Sequence, residues 1–227
     1  MCTVSYVPFK KGFILTSNRD ENPLRKTCEP QQIKLRKGLS VYAPVDTTNG
    51  GTWIATDKEK KVACLLNGAF KKHQRNIPYR KSRGLIVTEA FSYNSFSEFI
   101  DKIDLQNIEP FTLILKEQEN LQVLVWDEKV KHQQQLAIDK SYLWSSATLY
   151  TSEEHYRKEL FFSRFLQEGQ VSPENLLKTH GLYKNTPFIL DLPNVKTVSI
   201  TQIVAEKDNI QLTYDLKKQH KLENIAS

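Results

Sequence analysis

No run of about 18 apolar residues occurs anywhere in this 227-residue chain, so no membrane-spanning helix is expected. Cysteine is scarce. Cys2, Cys28 and Cys64 form no CxxC pair and no even framework, which argues against a disulfide scaffold and for a reducing compartment. The amino terminus lacks the basic-then-apolar layout of a secretory signal, and a cytoplasmic protein is expected. P-loop, GxGxxG and zinc motifs are absent, and His73, His132, His155, His180 and His220 show no metal-ligand spacing. No metal and no cofactor are therefore expected. Neither a long basic helix nor an aromatic RNA-binding motif appears, so nucleic acid is not an expected partner. Repeats, low-complexity tracts and linkers are missing too.

What is present is enough apolar material for a sizeable core: 39% hydrophobic residues, with 11 Phe and 9 Tyr. The length suits one domain of generous size or two small ones, and without a dividing linker we read a single domain over residues 1–227. The net charge of +6 admits an anionic partner (nucleic acid, an anionic membrane or an acidic ligand), but a lysine-rich surface is the favoured reading, since Lys10-Lys11, Lys58 to Lys61 and Lys71-Lys72 lie in turns or among acids.

The chain opens with two apolar segments, 2–8 and 12–17, joined by a lysine-glycine turn, which predicts a hairpin. Residues 24–50 are turn-rich, with strand candidates at 32–35 and 39–43, and Asn49-Gly50-Gly51 marks a turn. Residues 52–56 and 62–66 predict a second hairpin whose mid-strand Cys64 reads as a buried structural thiol. Helical spacing follows over 82–93, then a helix capped by Ser95 and Glu98. Strands are predicted at 111–116, 121–127, 133–138 and 142–146. Thr151 with Glu154 caps a long helix over about 152–168, with Tyr156, Leu160, Phe161 and Phe165 as its expected buried face. Ser172-Pro173 opens a further helix. Closing strands fit near 197–205 and 210–215, and the polar tail from Lys217 is expected to fray. Helices in blocks between runs of antiparallel strands predict an α+β fold.

The chemistry concentrates in the first 21 residues. Removal of Met1 would make Cys2 the first residue, with a thiol and an α-amino group on one carbon skeleton, a known nucleophile–base arrangement. The two groups have ordinary pKa values of about 8.5 and about 7.7–8.0, close enough for easy proton exchange. A turn at 10–11 brings residue 2 opposite residue 18 or so. Arg19 beside Cys2 would then favour thiolate, and Asp20 would orient the amine. Asn67, ending a neighbouring strand, is a candidate oxyanion donor. The candidate substrate contacts are Asn18, Trp53 and Ser146.

Met1-Cys2-Thr3, Thr16-Ser17-Asn18-Arg19-Asp20-Glu21, Gly50-Gly51-Thr52-Trp53-Ile54 and Leu66-Asn67-Gly68 resemble the NRDE family, also called the transport and Golgi organisation protein two family. That family is similar to amino-terminal-nucleophile (Ntn) hydrolases of the choloylglycine type. The resemblance implies a four-layer αββα sandwich of two antiparallel sheets. It also implies a mature Cys2 that attacks a non-peptide C–N amide bond, in an amidohydrolase or acyltransferase taking a small-molecule amide or acyl ligand. Arg19 and Asp20 match the supporting pair. Such hydrolases carry a mid-chain Asn where this chain reads Leu143-Trp144-Ser145-Ser146-Ala147-Thr148, so Ser145 or Ser146 stands in its place. They also carry a late Arg, for which Lys196 is the nearest replacement. The resemblance implies an alternative as well: a non-catalytic pocket for haem or acyl-lipid, serving trafficking. Haem would then be held by apolar contact or by the Cys2 thiolate.

Overall fold

The computed structural model describes residues 2–183, 185–216 and 219–224, the side chains of residues 2, 37 and 216–224 excepted. In chain order the elements are β1 (Cys2–Phe9), β2 (Gly12–Glu21), β3 (Thr27–Lys34), β4 (Ser40–Asp46), β5 (Ile54–Thr56) and β6 (Val62–Asn67). Then come α1 (Arg83–Ala90), α2 (Phe96–Lys102), β7 (Phe111–Glu117), β8 (Asn120–Trp126), β9 (Lys131–Leu136) and β10 (Tyr142–Ser145). The last are α3 (Ser152–Gln167), α4 (Pro173–Thr179), β11 (Lys196–Glu206), β12 (Asn209–Leu216) and β13 (Gln219–Asn224). The expected α+β class, with two antiparallel sheets, is what is found. No helix among the described residues is long and apolar enough to cross a membrane.

Contacts divide the chain into two compact units. One joins Met1–Leu24 to Asp139–Ser227, and the other is Arg25–Ile138. The second unit is a seven-stranded meander in which β3 to β9 each pair antiparallel with the next in sequence. Strand alternation sends Ala63, Leu65, Leu113 and Leu115 to one face, where Ile86 and Val87 of α1 and Phe96 and Phe99 of α2 complete a core. The capping expected at Ser95 is present: its hydroxyl accepts from the Glu98 amide at 3.0 Å. Cys64 is fully buried in β6, as expected.

The first unit holds a six-stranded antiparallel sheet in the order β10-β1-β2-β11-β12-β13, with α3 and α4 on one face. Gly12 begins β2 where the backbone of β11 passes so close that a Cβ would lie 1.9 Å from the Ala205 carbonyl oxygen. Two expectations are corrected here. The tail does not simply fray, because residues 219–224 pair with β12 as β13. That pairing occupies backbone groups an edge strand would otherwise leave open. The buried face of α3 is also different. Of the four expected residues Phe165 is buried and Phe161 partly so, but Tyr156 and Leu160 are 59% and 52% exposed, and Lys158 and Phe162 are buried with Phe165. These three share one face by helical spacing. Phe162 and Phe165 pack on Val7, Ile14 and Val204.

The side of this sheet that meets α3 and α4 changes character along its length. Val7, Ile14 and Val204 lie at one end, and Thr3, Ser5, Asn18 and Asp20 at the other, all buried. The register Thr3↔Asn18, Ser5↔Thr16 and Val7↔Ile14 puts these residues on one face. Apolar α3 residues cover the first end, and Lys158 comes down on the second.

Candidate active site

The opening hairpin sets the site. Its turn at Lys10-Lys11 fixes the pairing so that the Cys2 backbone lies opposite Arg19, while the Cys2 side chain is outside the described residues. Arg19 and Asp20 are successive residues of β2 and therefore point to opposite faces of the sheet.

Asp20 is completely buried. The Thr197 hydroxyl donates to its Oδ1 at 2.6 Å and the Tyr150 hydroxyl to its Oδ2 at 2.6 Å. Thr197 reaches Asp20 because β11 carries a bulge. Ser199 pairs with Arg19 and Thr197 with Asp20, so Val198 is the extra residue. Without that insertion, alternation would turn Thr197 to the Arg19 face. Burial raises the Asp20 pKa, against the opposing pull of the two hydroxyls and of Lys158.

Lys158 is 2% exposed. Its Nζ donates to Thr3 Oγ1 at 2.7 Å and stands 3.0 Å from the centre of the Tyr150 ring, a cation–π contact. Burial pushes its pKa down to about 7, although Asp20 and Glu154 pull the other way. Tyr150 thus meets Lys158 with its ring and Asp20 with its hydroxyl. The Ser146 carbonyl places it, accepting from the backbone amides of Leu149 and Tyr150 at 3.1 and 3.3 Å.

His180, at the end of α4, is fully buried beside this group. Asn18 fixes its tautomer. The Asn18 Nδ2 donates to the carbonyls of His180 (3.0 Å) and Phe188 (2.9 Å), leaving Oδ1 as acceptor for His180 Nδ1–H at 2.5 Å. Nε2 is then bare and accepts from the Ser5 hydroxyl at 2.7 Å. Burial first, and the charge of Lys158 second, hold the His180 pKa down to about 3, so the ring is neutral.

The Arg19 face is polar in another way. Ser199 is paired with Arg19 and Thr201 with Ser17, which makes a buried polar patch across β2 and β11. The hydroxyls of Ser17, Ser199 and Thr201 have no hydrogen-bond partner among the described residues. Such groups call for ordered water or polar ligand atoms.

The first unit therefore brings together Cys2, Asn18, Arg19, Asp20 and Ser146. Asn18 spends its amide on His180 and Phe188, and the Ser146 hydroxyl lies 3.0 Å from that of Thr148. Lys196 forms a surface ion pair with Asp191 at 2.6 Å. Trp53 and Asn67 belong to the second unit. Trp53 is buried just before β5, and Asn67 ends β6 opposite Phe111. Sequence reasoning missed Lys158, Tyr150, His180 and Thr197. Lys158 carried a signal, since it stands four residues before Phe162 and seven before Phe165, a lone cation in an apolar stripe. Among the described residues no group of three or more His, Cys, Asp or Glu could hold a metal ion.

The family model described as Transport and Golgi organisation 2 matches residues 1–218. No curated protein matches the chain. Solved structures similar to it include a Caenorhabditis elegans N-acylethanolamine-hydrolyzing acid amidase ortholog. It is 11% identical, with a TM-score of 0.64 over 89% of this chain and 92% of that one. A conjugated bile acid hydrolase from Clostridium perfringens is 8% identical, with a TM-score of 0.57 over 100% and 92%. Penicillin V acylase from Agrobacterium tumefaciens is 8% identical, with a TM-score of 0.56 over 98% and 84%. These likenesses show a shared Ntn-hydrolase fold.

Proposed function

The chain belongs to the Transport and Golgi organisation 2 family, and from that premise we propose that it is an amino-terminal-nucleophile hydrolase cleaving a non-peptide C–N amide bond through Cys2. The observation that carries this reading is the hairpin register. It sets the Cys2 backbone opposite Arg19, one residue from a fully buried Asp20 that two hydroxyls hold in place.

In this mechanism Met1 is removed and the Cys2 α-amine takes the thiol proton. The thiolate attacks the amide carbonyl, forming the C–S bond. The amine returns the proton to the leaving nitrogen as the C–N bond breaks, leaving a thioester. Water then attacks, with the amine again as base, to release the carboxylic acid and the free thiol. Asp20 orients the amine, Arg19 supports the thiolate, and backbone N–H groups bind the oxyanion. The unsatisfied hydroxyls of Ser17, Ser199 and Thr201 favour a polar group on the substrate near Arg19. Asn18 braces this end of the sheet through His180 and Phe188, and the Ser146 carbonyl places Tyr150, which holds Asp20.

The test uses the names of the similar structures as a guide: an N-acylethanolamine, a conjugated bile acid and penicillin V form the first panel. Intact mass should show loss of Met1, and Cys2→Ala should abolish turnover while leaving the fold unchanged. Retained Met1 would sink the mechanism. Haem or acyl-lipid binding by spectroscopic titration, with no amide turned over, would replace it with the ligand-carrying function.

A further inference from the structure

A buried lysine is costly in a fold and calls for a reason. Lys158 lies on the inward face of α3, where Phe162 and Phe165 are apolar, and a Met or Leu would fill its place more cheaply. No carboxylate among the described residues stands within ion-pair distance of its Nζ. What it does contact are Thr3, the residue after Cys2, at 2.7 Å, and the ring of Tyr150, whose hydroxyl holds Asp20. We propose that Lys158 is a positioning residue for the Cys2 nucleophile: from the face of the sheet opposite Arg19, its ammonium ties the start of β1 to α3 and adds a second buried positive charge, one residue from Cys2, that favours the thiolate. This rests on the amino-terminal-nucleophile reading above.

The groups that face Lys158 are few. They are Thr3 from β1, Asp20 from β2, Tyr150 from the turn after β10, Glu154 on α3 itself and the neutral His180 from α4. Burial opposes the ammonium, while Asp20 and Glu154 favour it. The Lys158 charge therefore fades as pH rises through about 7. An arginine in its place would stay charged throughout.

The experiment follows the rate of Cys2 alkylation by iodoacetamide from pH 5 to 10, read by mass spectrometry, with the exposed Cys28 as internal reference. Lys158→Met should move the Cys2 midpoint up by about one pH unit and slow labelling at pH 7 by about tenfold, with Cys28 unchanged. Lys158→Arg should restore fast labelling, with a midpoint at or below that of the natural protein. Thr3→Val, which removes the acceptor and keeps the cation, should shift the midpoint in the Met direction by a smaller step, and it serves if Lys158→Met fails to fold. A fast natural Cys2 whose midpoint is unmoved in the folded variants overturns the role of Lys158 alone. A natural Cys2 whose midpoint lies near the value of about 8.5 for a free thiol overturns the nucleophile reading and this inference with it.

Discussion

The neutral, buried His180 makes a quantitative demand on acid stability. Its pKa is held down to about 3 in the folded chain against 6.5 when exposed. Between those values the unfolded chain binds a proton that the folded one refuses, so stability falls as pH drops from 6.5 toward 3. The slope from one such group is about 1.4 kcal/mol per pH unit, and the whole window is worth about 5 kcal/mol. For a chain of this size that corresponds to roughly 3–6 °C in Tm per pH unit. Asp20 acts in the opposite sense, because its pKa is raised on folding and the folded chain then holds the extra proton. The informative comparison is therefore between the natural protein and His180→Asn, which keeps a donor to Asn18 and has nothing to titrate. Thermal unfolding from pH 4.5 to 7.5 should show the natural protein losing stability faster on acidification, with the curves diverging below pH 6.5. NMR of His180 should show Nδ1–H, with Nε2 unprotonated, down to pH 4.5. Parallel unfolding curves, or a histidine titrating near 6.5, would refute the derivation from burial and the Asn18 hydrogen bond.

Three further outcomes follow from the same geometry. Thr197→Val removes a hydroxyl from a fully buried carboxylate and should cost about 1–3 kcal/mol in urea unfolding, with little change in the slope. Gly12→Ala places a methyl group against the Ala205 carbonyl and should destabilise by about 3 kcal/mol or prevent folding, whereas Ala in the open space at Gly169 meets no neighbour and should cost about 1 kcal/mol through its positive φ alone. Asp20→Asn should lower amide turnover by about 100-fold through misplacement of the amine, and an unchanged kcat would remove Asp20 from the mechanism.

Much of the architecture was legible because its signals are local. Ser95 with Glu98, Thr151 with Glu154 and Ser172-Pro173 mark helix starts by side-chain hydrogen bonds that span three residues. The register of the first hairpin followed from its turn. The phase of α3 was not legible, since Tyr156 and Leu160 offer an apolar stripe as convincing as Phe162 and Phe165. The choice between them depends on what the helix meets, and the Thr3 end of the sheet is polar. Thr197 escaped notice because a bulge breaks the two-residue alternation on which strand reading relies. His180 showed no ligand pattern in sequence, and it is a satisfied core histidine whose partners Ser5 and Asn18 lie far away along the chain.

Those distances bear on when the protein can become competent. The bonds Lys158–Thr3, Ser5–His180 and Thr197–Asp20 close over 155, 175 and 177 residues. The intervening meander is built from neighbours in sequence and can assemble as the ribosome delivers it, since local contacts form early and long-range ones late. The opening hairpin must wait for α3, α4 and β11, which come from the last third of the chain. A nascent chain stopped at Ile138 would carry Cys2 with none of the groups that surround Asp20. Competence then arrives only once Tyr150, Lys158 and Thr197 have all emerged, and Cys2 stays an ordinary thiol until then.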